Sequence, residues 1–113
     1  MKARRDADYL DHMIEAIDRV GTYTEGLTHD DFLRNSLVQD AVIRNVEIVG
    51  EAARNFQRVA EEVAQAHPEV PWRSITGMRN QLTHGYFSVD LESLWATVSD
   101  DLPALRTSLL ALR

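Results

Sequence analysis

The sequence predicts an all-α protein, and three observations carry that expectation. Apolar residues recur at steps of three and four through most of the chain, alternating strand-like patterning is almost absent, and no proline interrupts the stretch from Ser36 to His67. With 113 residues the chain has the size of one domain, taken as 1–113. Apolar residues at 44 % and charged residues at 27 % are the mix of a globular chain.

The first helix is expected from about Arg5 to Val20, where Tyr9, Leu10, Met13, Ile14, Ile17 and Val20 form one apolar stripe. Gly21 and the stretch Thr22 to Gly26 weaken it. Thr28 with Asp31 then reads as an N-terminal cap before a short turn around Phe32 and Leu33. Ser36 and Gln39 fit a capping box, and from there one helix of roughly 30 residues is expected to run to His67, where Pro68 stops it. Along it Val38, Val42, Asn45, Val49, Ala52, Phe56, Val59 and Val63 form a lengthwise seam. Ala41, Val46, Ile48, Ala53 and Ala60 widen that face, which favours contact with more than one helix or with a second subunit, hence a dimer. Asn45 either fixes the register of packed helices or faces a cleft, and the sequence leaves both open.

Pro71 suits the first position of a third major helix, whose buried face would be Trp72, Ile75, Met78 and Leu82, with Gly77 allowing a close backbone approach. Asp90 or Ser88 would cap a last helical region carrying Leu91, Leu94, Trp95, Val98, Leu102, Leu105, Leu109 and Leu112. Pro103 divides or kinks it, so one helix and two are equally compatible. The expected architecture is a bundle of four to five helices, one of them long and central. Trp72 and Trp95 read as core anchors, while His12, His29 and His67 support no functional reading.

Composition narrows the function. Zero cysteines exclude disulfides, thiolate metal sites and cysteine nucleophiles, and the four histidines show no paired ligand spacing, so neither metal nor cofactor is expected. The net charge of −6 argues against a protein that coats nucleic acid, and leaves room for a local RNA contact or a basic partner. The pairs Asp30-Asp31, Glu61-Glu62 and Asp100-Asp101 read as helix caps and solvated faces. No apolar run is long enough to span a membrane, and the basic amino terminus has no apolar segment behind it, so a cytoplasmic location is expected.

The densest chemistry is in Arg79-Asn80-Gln81-Leu82-Thr83-His84-Gly85-Tyr86. Arginine offers phosphate oxygens a permanently charged fork of donors, and histidine gives or takes a proton near neutrality. Together they can handle a phosphodiester without a metal. On an ideal helix Asn80 and His84 share a face, but Arg79 and His84 diverge by roughly 140°. Either the helix loosens at Gly85, or two copies of the chain combine their residues in one cleft.

Arg79, His84 and Tyr86 in the pattern R-x4-H-x-Y resemble the HEPN superfamily, and within it the HepT-like toxins that pair with minimal nucleotidyltransferases. Residues 41–52, 71–80 and 85–91 resemble the other characteristic stretches of those proteins. The resemblance implies an all-helical homodimer whose subunit cleft cuts RNA without a metal, as the toxin of a type VII-like toxin-antitoxin system. It implies Arg79 and His84 as catalytic residues, Asn80 as a supporting, orienting group and Tyr86 as the acceptor of AMP from a nucleotidyltransferase antitoxin. The antitoxin would bind as a hetero-oligomer. Residue by residue, the plainer alternatives are a His84 that ends a helix and an Arg79 paired with Glu47 or Glu51. For the whole chain they are a noncatalytic binding module or substrate of the nucleotidyltransferase, and a simple dimerisation domain. Arg44, Glu47 and Glu51 occupy adjoining positions on the long helix and could reach the motif from below.

Overall fold

The structure is a computed structural model, and it describes residues 5–77 and 89–113. Every regular element among them is helical, so the protein is all-α. Expectations placed on Met78, Arg79, Asn80, Leu82, His84, Gly85, Tyr86 and Ser88 lie outside the described residues.

Helix α1 spans Arg5–Thr24, four residues longer than its apolar stripe predicts. Gly21 does not end it, and Thr24 ties the last turn by donating its hydroxyl to the Val20 carbonyl at 2.8 Å. Helix α2, His29–Leu33, opens with the expected cap at Thr28, which proves to be reciprocal. The Asp31 N–H donates to Thr28 Oγ1 and the Thr28 N–H to Asp31 Oδ2, both at 3.0 Å. The Thr28 backbone N–H and then the Thr28 side chain hold the Asp31 carboxyl below the ordinary carboxylate range.

Helix α3, Ser36–Val59, is the spine. Its cap is Asn35 rather than Ser36: Asn35 Oδ1 accepts from the Val38 N–H at 3.1 Å, and Gln39 donates its side-chain amide to the Phe32 carbonyl instead of closing a box. The expected run to His67 also breaks. Ala60 adopts φ −132°, ψ 49°, and a separate short helix α4 covers Glu61–Ala66. Nothing intrinsic to alanine stops a helix there. The turn lets α4 fold back towards Trp72, whose indole N–H donates to the Ala64 and His67 carbonyls at 3.1 and 3.2 Å. The Trp72 ring stacks on Phe56 of α3 with centroids 5.4 Å apart.

Helix α5 is described over residues 72–77, with the Pro71 carbonyl accepting from Ile75. Pro71 therefore caps the helix one residue before the expected position. Beyond its chain neighbours and the backbone of its own helix, no atom of the described residues lies within 4 Å of a Cβ placed on Gly77, so the close approach expected there is absent among them. The C-terminal region is one rod: α6 (Leu91–Ala96), a π-helical turn (Thr97–Asp101) and α7 (Leu102–Ala111). Pro103 causes no division. The Leu102 N–H reaches back five residues to the Thr97 carbonyl, and this wide turn puts Pro103 in the first turn of α7, where a missing N–H costs least.

Among the described helices α1 and α3 share the largest interface, and the rod packs along α1 and against α2. Arg106 pairs with Asp18 and Arg113 with Asp11, so α7 runs antiparallel to α1. Met13, Val20, Phe32, Val42, Val49, Phe56, Val70 and Leu109 are wholly enclosed. Trp95 is half-buried as an anchor, tilted on Phe32 and stacked on His29. The outer part of the α3 seam departs from expectation: Val59 and Val63 are exposed, since the break at Ala60 turns them away from the core.

Candidate functional site

Arg79, Asn80, His84 and Tyr86 lie in 78–88, outside the described residues, while the elements entering and leaving that segment are well anchored. On the entering side Trp72 and Ile75 of α5 are buried. On the leaving side Asp90 caps α6 by accepting from the Glu92 and Ser93 N–H groups at 3.0 and 3.3 Å, and from the Ser93 hydroxyl at 2.9 Å. The Ser93 hydroxyl, then the Ser93 and Glu92 N–H groups, hold the Asp90 carboxyl below its ordinary range.

Among the described residues, polar groups converge in a groove of about 460 Å³ between α1 and α3, lined by Tyr9, His12, Arg44, Glu47, Ile48, Glu51, Ala52 and Asn55. The α3 members follow helical spacing, which places them in one stripe beside the buried seam. Arg44, Glu47 and Glu51, singled out from sequence as neighbours on the long helix, do share this face. The groove floor is apolar, with Ala52 buried and Ile48 packed against the core. Tyr9 and His12 form the α1 wall, their rings edge to face at 6.1 Å. Sequence reasoning missed Tyr9, His12 and Asn55 as groove residues. Their one signal was the three-residue spacing of Tyr9 and His12, which says nothing about where α1 lies against α3.

The groove's polar groups differ in how far they are already committed. Asn55 accepts from Arg58 at 3.0 Å. Arg44 and Glu47 have neither hydrogen bond nor ion pair among the described residues. Asn45, next in sequence to Arg44, is the opposite case. It is buried in the core, its Oδ1 accepts from Arg19 Nε at 2.8 Å, and its amide donates to the Ala41 carbonyl at 2.9 Å. Of the two readings open for Asn45, the structure supports the structural one: it fastens α1 to α3. No group of three or more His, Asp or Glu among the described residues is arranged to hold a metal ion. No helix among them is long and apolar enough to cross a membrane.

The profile of the family described as ribonuclease HepT-like matches residues 13–112, nearly the whole chain. The protein belongs to that family. A Thermococcus cleftensis protein named "Probable ribonuclease HepT" is 41 % identical over 110 residues, covering 97 % of both chains. A Methanocaldococcus jannaschii protein whose name joins a gamma-glutamylcyclotransferase to an RNase assignment is 38 % identical; the match covers 92 % of this chain and 46 % of that one. A Caldanaerobacter subterraneus protein, also assigned as an RNase, is 33 % identical over 86 % of this chain and 84 % of its own. Comparison with solved structures gives no match.

Proposed function

We propose that this protein is a metal-independent endoribonuclease, with Arg79 and His84 as its catalytic residues and Asn80 as the group that orients them. The observation that carries this reading is the R-x4-H-x-Y pattern of residues 79–86, set inside a chain that matches the ribonuclease family over residues 13–112. His84 takes the proton from a ribose 2′-hydroxyl, a role worth about 10²–10⁴ in rate. The 2′-oxygen attacks phosphorus, the bond to the 5′-oxygen breaks, and that oxygen leaves with a proton. Arg79 stabilises the charge on the phosphoryl oxygens in the transition state. The products are a 2′,3′-cyclic phosphate and a 5′-hydroxyl, and DNA is not cut because it lacks the nucleophile.

Arg79 and His84 diverge on an ideal helix, so the working unit in this reading is a homodimer whose cleft collects both residues from both subunits. The second subunit's His84 supplies the leaving-group proton. In the same reading the protein is a cytoplasmic toxin, and its partner is a nucleotidyltransferase antitoxin that transfers AMP to Tyr86. Esterifying that phenol adds negative charge and bulk beside His84, which repels and obstructs RNA.

The test is incubation of unmodified protein with total RNA and tRNA in EDTA, beside His84→Ala, with analysis of fragment 3′ ends. Cyclic-phosphate ends from the parent protein alone are expected. Absence of cleavage, from protein whose intact mass excludes AMP on Tyr86, would leave the noncatalytic module as the better reading.

A further inference from the structure

A ribonuclease built on one arginine and one histidine cuts a phosphodiester, but those two residues do not choose a base. The groove between α1 and α3 has the chemistry to do so. Its volume of about 460 Å³ lies within the range of small-ligand sites. Its floor, Ile48 and Ala52, offers an apolar surface to a ring, and Tyr9 and His12 add aromatic groups along one wall. This is how single-stranded RNA is usually read: the base is splayed out, stacked, and hydrogen-bonded along its Watson–Crick edge.

The polar groups then discriminate among bases. Glu47 is half-buried, acceptor-only when ionised, and without a hydrogen bond or ion pair among the described residues. Guanine alone presents two adjacent donors, its N1–H and its 2-amino group, and so can meet one carboxylate with two parallel charge-assisted bonds. Adenine and cytosine present one donor beside an acceptor. Uracil flanks its single N–H with two carbonyls, which face the carboxylate unfavourably. Arg44 stands one helical turn from Glu47 at the end of the stripe, exposed and without an ion pair among the described residues, in place for a phosphate. Arg44 is the one arginine among the described lining residues, so general affinity for a polyanion is small and selection comes through the base.

We propose that this groove is a nucleobase subsite that selects guanine in single-stranded RNA, with Glu47 reading the Watson–Crick edge and Arg44 holding the adjoining phosphate. The assignment of RNA as the ligand rests on the ribonuclease reading above. The experiment is titration of the full chain with GMP, AMP, CMP and UMP, followed through the His12 ring signals in carbon-13-edited NMR, those signals being identified by their loss in His12→Gln.

GMP should shift the His12 signals saturably and UMP should not. Glu47→Gln, near-isosteric, should weaken GMP at least about tenfold, the loss expected for bonds to a charged group. Arg44→Ala should weaken GMP but not guanosine. Equal responses to all four nucleotides, no shift of His12 by any of them, or GMP binding that survives Glu47→Gln in a protein with an unchanged thermal melt would each overturn the proposal. Because binding is read without cleavage, RNA cutting without GMP binding removes only the subsite. GMP binding without cutting leaves a guanine subsite and removes, with the nuclease, the assignment of RNA as its ligand.

Discussion

The two faces of α3 handle polar groups in opposite ways. On the inner face Asn45 is enclosed, and its carbonyl and amide are both taken, by Arg19 and by the Ala41 backbone. On the groove face, one residue away in sequence, Arg44 is exposed and holds nothing among the described residues. A buried polar group must be satisfied within the fold because leaving it unpaired costs about 1–3 kcal/mol. An exposed one can keep its bonding capacity for a ligand, since water satisfies it meanwhile. Polarity on a helix therefore indicates a site only when its bonds are still available, and Asn45 and Arg44 separate on that criterion where sequence patterning could not separate them.

The largest effect should come from the inner face. Phe56 is 1 % exposed and stacked on Trp72, so Phe56→Ala removes ring contacts from α3 and α5 together and leaves a cavity. A loss of about 3–5 kcal/mol is expected in chemical denaturation. A loss below 1 kcal/mol would mean that the α3 to α5 contact does not hold the fold. Next comes Asn45→Ala, which strips the Arg19 bond and opens a small gap, with about 1–3 kcal/mol expected by the same measurement. A neutral result would dissolve the distinction between the faces. On the groove face, by contrast, Arg44→Ala should stay within about 0.5 kcal/mol of the parent protein. A clear destabilisation there would show that Arg44 is structural after all.

The helical faces were legible because burial along α1 and α3 follows a period that spacing alone reveals: Leu10, Met13, Ile14, Ile17 and Val20 meet Val42, Val46, Val49 and Phe56 as patterning requires. Caps were legible where a single residue could serve, as at Thr28, and misassigned by one position where Asn35 and Ser36 competed. The break at Ala60 had no local signal at all. Alanine favours helix, and the turn is set by where Trp72 finds carbonyl partners, a tertiary matter. Pro103 was legible as a perturbation but not as a π turn, because the rod can widen by one residue and continue. The groove was half legible. Its α3 stripe follows from helix geometry, whereas Tyr9 and His12 join it only once the offset of α1 along α3 is known. The Arg79 to Tyr86 motif was the reverse case: legible from its chemistry and its family likeness, although it falls outside the described residues.

The smallest effect concerns a carboxylate whose bonds are already engaged, the counterpart of Glu47. Asp90 accepts from the Ser93 hydroxyl and from the Ser93 and Glu92 N–H groups at the start of α6, immediately after the segment that bears the motif. These bonds favour the ionised form and lower its folded-state pKa. As pH falls through about 3.9 the unfolded chain takes up the proton first, so the stability Asp90 contributes is present above that value and is lost as pH falls towards the lowered one. Asp90→Asn keeps a side-chain oxygen for the cap but removes the titration. Thermal melts from pH 7 downwards should show the variant somewhat less stable at neutrality, with a shallower decline below about pH 5 than its parent. An identical acid decline would assign the acid sensitivity to other carboxylates, with Asp31, which accepts from the Thr28 N–H in the first turn of α2, the first to test.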